Sequence, residues 1–183
     1  MSIEIDRKRR FETVAAEVSD PVQRYLRRRA TADDADDAYS ETLLTIWRRL
    51  DDVPPNAALP WAYGIARKVL ANQHRATRRR LRLIDRVGTS APERPILGPG
   101  EADDFPEVRE ALSRLSEADQ EVLTLWAWEE LEPREIAAVL DTTPNAVSLR
   151  LTRAKTKLAH ELERQSGTDA GHEPIETKED HQS

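Results

Sequence analysis

Apolar residues recur along nearly the whole chain at steps of three and four, the spacing of one helix face, and no run alternates as a half-buried strand would. Phe11, Val14, Ala15, Val18, Val22, Tyr25 and Leu26 form the first stripe. Pro21 lies inside it; its missing N–H and its ring predict a kink or break near Asp20. Ala35, Ala38, Tyr39, Thr42, Leu43, Ile46, Trp47 and Leu50 form the second. Its start carries Asp33, Asp34, Asp36 and Asp37 and its end Arg48 and Arg49, the order that a helix dipole favours. Residues 51–60 read as a loop, and Pro60 as the first residue of a third helix reaching about Arg82.

Residues 87–106 break the pattern with four prolines and three glycines, the composition of a flexible linker. Fully extended, those 20 residues reach about 66–70 Å, close to two turns of duplex DNA at about 34–36 Å each. Beyond the linker, Val108, Ala111, Leu112 and Leu115 begin a second helical unit. Ser116 and Asp119 resemble a capping box opening a helix that carries Val122, Leu123, Leu125 and Trp126. Glu132-Pro133 starts a short helix that buries Ile136, Ala137, Val139 and Leu140. Asp141-Thr142-Thr143 is a tight turn, and Pro144 opens a last helix to about Gln165. The expected fold is therefore all-α. Two small helical domains, residues 1–86 and 107–165, flank a linker at 87–106, and a disordered acidic tail fills 166–183.

Composition narrows the function. Of 183 residues, 34% are charged and 38% hydrophobic, so the cores are small. No apolar run approaches the roughly 20 residues that span a bilayer, and the N-terminus has no stretch of signal-peptide length. A cytoplasmic protein is expected. There is no cysteine, the four histidines lack metal-ligand spacing, and the six glycines form no phosphate loop or nucleophile elbow. These exclusions leave no catalytic, metal or cofactor residue to nominate, and the expectation is a binding protein rather than an enzyme.

The net charge of −6 conceals segregation: residues 67–86 carry +7, residues 144–158 carry +4, and the last 18 residues carry −4. Two cationic islands in an acidic chain suggest two contacts with a polyanion, against the plainer reading of solvated helix faces. In the third helix Lys68, Arg75, Arg79 and Arg82 line one stripe while Ala62, Ile65, Ala66, Val69 and Leu70 turn to the core. Asn72 and Trp61 lie beside the stripe, a cationic groove with an aromatic suited to single-stranded DNA; Trp61 is equally readable as core. The helices on either side of Asp141 have the shape of a helix-turn-helix. Val147, Leu151, Ala154 and Leu158 face its partner helix, leaving Asn145, Ser148, Leu149, Arg150, Thr152, Arg153, Lys155 and Thr156 to reach bases and phosphates in a major groove. A helical hairpin packed for stability alone has the same outline. On the second helix, Asp36, Asp37, Ser40, Glu41 and Thr45 beside Tyr39, Leu44 and Trp47 make an acidic-aromatic face suited to a basic protein partner.

These blocks, in this order, resemble the sigma-70 family of bacterial RNA polymerase sigma factors, in its two-domain extracytoplasmic-function group. DADDAYSETLLTIWRRLDD is similar to that family's polymerase-binding helix, LPWAYGIARKVLANQHRATRRR to its minus-ten helix, and residues 115–158 to its minus-thirty-five domain. The resemblance implies that Asp36, Asp37, Ser40, Glu41, Leu44 and Trp47 dock on core RNA polymerase. It implies that Trp61, Lys68, Asn72, Arg75, Arg78 and Arg79 face the minus-ten strand, and that Asn145, Ser148, Leu149, Arg150, Thr152, Arg153 and Lys155 enter the minus-thirty-five groove. It further implies an anti-sigma protein partner, no cofactor, no membrane insertion and a monomer when free. Ala38-Tyr39-Ser40-Glu41 departs from the family's Leu-x-Gln-Glu, and Lys68 and Ser148 stand where Asn and Arg are frequent. The rival reading is a sigma-like decoy or helix-turn-helix regulator that does not initiate transcription.

Overall fold

The computed structural model describes residues 2–84 and 105–169. Among them all regular structure is helical, and no residue is in a strand. Three helices form the N-terminal unit: α1 (Ser2–Arg27), α2 (Ala32–Arg48) and α3 (Ala58–Ile84), with a 3₁₀ turn, Leu50–Asp52, after α2. Their stripes converge on one core in which Val18, Val22, Leu26, Ala38, Ile46, Leu50, Ala62 and Ala66 are fully buried. Of the kink or break expected near Asp20, the break is absent: α1 runs through Pro21 as one helix. Proline forfeits one helical hydrogen bond, and the complete burial of Val18 and Val22 on either side of Pro21 holds the turn in place. Thr31 caps α2 by accepting from the Asp34 N–H at 3.3 Å, and α3 starts at Ala58, two residues earlier than the proline suggested.

The C-terminal unit contains α4 (Pro106–Ser113), α5 (Glu117–Ala127), α6 (Pro133–Leu140) and α7 (Pro144–Asp169). Ser116 caps α5, as its position implies. The Glu132 N–H donates to the Glu135 carboxylate at 2.8 Å, fixing the start of α6. Asp141, in the left-handed conformation at φ 56°, ends α6. Val147, Leu151 and Ala154 are buried beneath α7, as the periodicity required. Two further details mark this unit. Trp126 is 42% exposed because it sits at the edge of the α5–α7 contact, where the Lys155 ammonium covers its ring at 3.3 Å. α7 also continues to Asp169, so residues 166–169 belong to the helix, where the Ser166 hydroxyl donates to the Leu162 carbonyl. The expected linker, except its last two residues, and the rest of the expected tail lie outside the described residues.

The two units are pressed together. α3 approaches α6 at Gly64, where a Cβ would lie in van der Waals contact with the α6 backbone, 3.7 Å from the Val139 carbonyl. Beside that contact is a polar clasp. Glu129 accepts from Arg28 at 2.8 Å, from Arg29 at 3.1 Å and from the Tyr63 hydroxyl at 3.2 Å. Arg29 also donates to the Tyr25 carbonyl and to Thr124, and its guanidinium stacks 3.7 Å from the centre of the Tyr25 ring. Burial, then the neighbouring Glu121 and Glu129 respectively, push the Tyr25 and Tyr63 hydroxyls far up, so both remain neutral donors. Burial alone would lower the Arg29 pKa; the carboxylates of Glu121 and Glu129 outweigh it and keep the guanidinium charged.

Candidate nucleic-acid interface

Along α3, Ala62, Ile65, Ala66, Val69 and Leu70 are buried, so the helical period turns Lys68, Asn72, Arg75, Arg78 and Arg79 to solvent, and all five are exposed. The stripe is partly pre-arranged. Arg75 donates through Nη2 to the Asn72 side chain at 2.7 Å and through Nε to the Ala71 carbonyl at 3.2 Å, which folds its fork back along the helix. Trp61 sits at the foot of the stripe, partly buried, with the Arg49 guanidinium 5.6 Å from its ring centre. The side chain of Arg82 lies outside the described ones.

On α7 the outward face begins in the first turn of the helix. Asn145, Ser148, Leu149, Arg150, Thr152, Arg153 and Lys155 are all exposed. Their cations are not equivalent. Arg150 and Lys157 lean to Asp119 at 3.6 and 2.6 Å, and Lys155 lies over Trp126. For the Asp119 carboxyl, burial would raise the pKa. Hydrogen bonds from Lys157 and Ser116, with Arg150 nearby, outweigh burial and hold it below the usual carboxylate range. An open groove between α5, α6 and α7 is lined by Val122, Leu140 and Val147 together with Arg150, Arg153 and Lys157.

α2 buries Ala35, Ala38, Thr42 and Ile46 and turns the opposite side outward, where Asp36, Asp37, Ser40, Glu41 and Leu44 are exposed. Trp47 is different. Phe11 packs edge-on against its ring at 5.2 Å, and the Arg7 guanidinium lies 5.3 Å from its centre. Arg7 also donates to the Trp47 carbonyl and to Asp51. The first turns of α1 thus cover Trp47, which borders the acidic face without standing free in it. Pattern reading placed the exposed faces and missed the clasp of Tyr25, Arg28, Arg29, Tyr63, Glu121, Thr124 and Glu129. Its one local signal is the Arg27-Arg28-Arg29 run directly after an apolar stripe.

Among the described residues no group of His, Asp and Glu is arranged to hold a metal ion, and no helix is long and apolar enough to cross a membrane. The family description "Sigma-70 region 2" matches residues 15–80, and "Sigma-70, region 4" matches residues 106–158. The ECF RNA polymerase sigma factor EcfG of Rhodopseudomonas palustris (strain TIE-1) is 30% identical over 131 residues, covering 70% of this chain and 71% of that one. The RNA polymerase sigma factor CnrH of Cupriavidus metallidurans is 29% identical over 147 residues, covering 73% and 75%. The fold is similar to that of the sigma factor RpoE in complex with the anti-sigma factor NepR from Bartonella quintana. That match has a TM-score of 0.64 at 21% identity over 84% of this chain and 96% of that one. It is also similar to CnrH in complex with the cytosolic domain of CnrY, with a TM-score of 0.57 at 23% identity over 90% and 91%.

Proposed function

Because the chain belongs to the extracytoplasmic-function group of the sigma-70 family, a promoter-recognition subunit of RNA polymerase, we propose that its three exposed faces divide that task. The acidic face of α2 (Asp36, Asp37, Ser40, Glu41 and Leu44, bordered by Trp47) docks on core polymerase. The α3 stripe (Lys68, Asn72, Arg75, Arg78 and Arg79, with Trp61 at its foot) engages the minus-ten strand. The α7 face (Asn145 to Lys155) enters the major groove of the minus-thirty-five element.

One observation carries this reading. Two cationic helix faces, in different domains, stand exposed, while the buried carboxylate of Glu129 is engaged by Arg28 and Arg29. Exposed arginines and lysines are the groups that displace counterions from DNA. On α3 they are joined by Asn72 and by Trp61, which offer a hydrogen-bonding edge and an aromatic ring to unpaired bases. Displacing a base from the stack costs a few kcal/mol, offset by phosphate neutralisation along the stripe. The chain binds and positions; nucleotide addition belongs to the polymerase. A decoy has no use for a solvent-facing arginine row on α3, which favours the initiating role over that rival.

An anti-sigma protein is the further partner proposed, since two structurally similar sigma factors were solved with NepR and with the cytosolic domain of CnrY. Transcription reconstituted from purified core polymerase and this protein tests the proposal. Specific initiation that disappears in the Arg75→Ala, Arg79→Ala double variant is expected. Polymerase binding without initiation would instead identify a decoy.

A further inference from the structure

On the outward side of α7 the residues directly opposite the buried Val147–Leu151–Ala154 row are Asn145, Leu149, Thr152, Arg153 and Thr156, with Leu149 at their centre. Leu149 is 51% exposed. A single exposed leucine is ordinary on a protein surface. One at the middle of a polar and cationic face, in the first two turns of the second helix of a helix-turn-helix, occupies a position that reaches base edges.

Its neighbours deepen the apolar character of that spot. The hydroxyls of Ser148, Thr152 and Thr156 donate to the carbonyls four residues back, at 2.9, 3.0 and 3.1 Å. With their protons committed to the helix, the threonines offer methyl groups and acceptor lone pairs rather than free donors. Arg150 and Lys155 are drawn to the flanks by Asp119 and Trp126. The centre is left to Leu149, between Asn145 one turn before and Arg153 one turn after. In the major groove every base presents polar groups, and thymine alone among the four adds an apolar one, its C5-methyl.

Resting on the reading of α7 as the minus-thirty-five helix, we propose that Leu149 is a specificity-determining residue that reads a thymine methyl group in that element. The experiment uses the full-length protein bound to core polymerase and duplex DNA randomised across the minus-thirty-five segment. Enriched duplexes are resynthesised with deoxyuridine, which lacks the methyl, replacing each thymine in turn. At one thymine the replacement weakens binding by the wild-type protein about threefold to fivefold, the worth of one buried methyl group. The Leu149→Ala variant, whose exposed site leaves the fold intact, binds that duplex more weakly and is indifferent to the replacement there. The Leu149→Met variant keeps the sensitivity. Equal responses of wild type and Leu149→Ala at every thymine, or an enriched element with no thymine, overturn the assignment while leaving α7 as the reading helix. Absence of any enriched element, with Arg153→Ala behaving as wild type, overturns the reading of α7 and the assignment with it.

Discussion

Arg28 and Arg29, just past the end of α1, have side chains 14% and 5% exposed and both close on Glu129, whose own side chain is 2% exposed. Arg75, Arg78 and Arg79, on α3, are exposed, and among the described residues Arg75 bonds to its own helix. The same guanidinium is architecture in one region and an open, solvent-facing surface in the other. The difference lies in what the fold brings opposite: acids of α5 and its following turn against the end of α1, and nothing against the outer side of α3 among the described residues. A charge met by a buried partner fixes one arrangement of the two domains. A charge left in water is available to a polyanion and is worth little to stability.

Four variants sharpen or break that contrast. Glu129→Ala should have the largest effect, because it takes the buried carboxylate from Arg28 and leaves Arg29 to Thr124 and the more distant Glu121; removing one member of a buried pair costs about 3–5 kcal/mol. The strain is relieved by separation of the domains, read as a rise in the radius of gyration by small-angle scattering. Replacing the whole set with apolar residues, Arg29→Leu with Arg28→Ala and Glu129→Met, should restore the compact form. A Glu129→Ala protein as compact as wild type would show that the clasp holds nothing.

Next, Arg75→Ala with Arg79→Ala should leave the unfolding free energy within about 0.5 kcal/mol of wild type. The same pair should flatten the dependence of log affinity on log salt by about 2 for the polymerase-bound protein on promoter DNA. A large loss of stability would place these arginines in the architecture instead.

Asp119→Asn weakens the cap and the Lys157 link together, with an expected cost near 1–2 kcal/mol at neutral pH. The carboxyl is depressed on folding, so its stabilisation is complete above its ordinary value of about 4 and is lost as pH falls through the lower folded value. The gap between wild type and variant, measured by denaturation, should hold from pH 7 to about pH 5 and close below pH 4. A smaller cost than that of Asp119→Asn is expected of Lys155→Ala, about 0.5–1 kcal/mol for the contact with Trp126; a shift in tryptophan fluorescence reports its loss.

The exposed faces were legible in the sequence because a helix has one period. Once Ala62, Ile65, Ala66 and Val69 are assigned inward, Lys68, Asn72 and Arg75 have nowhere else to point. The same logic found the buried side of α7, and proline's fitness for the first helical position found the starts of α6 and α7. The misses share a cause, which is contact between residues distant in sequence. Arg29 and Glu129 are 100 residues apart, and no local pattern pairs them. Trp47 was assigned to an open face because α2 alone does not reveal that Phe11 and Arg7 lie across it. Pro21 does not break α1, since local propensity yields when the residues on both sides are anchored in a core.

The central claim, that the exposed cationic faces of α3 and α7 engage one promoter while α2 holds the polymerase, is tested most directly by initiation from core polymerase on a pool of promoter fragments. The account predicts start sites absent with core enzyme alone, lost on Arg75→Ala with Arg79→Ala, and weakened by Arg153→Ala only on templates that carry an upstream element. Initiation at unchanged sites and rates by all three proteins would contradict it.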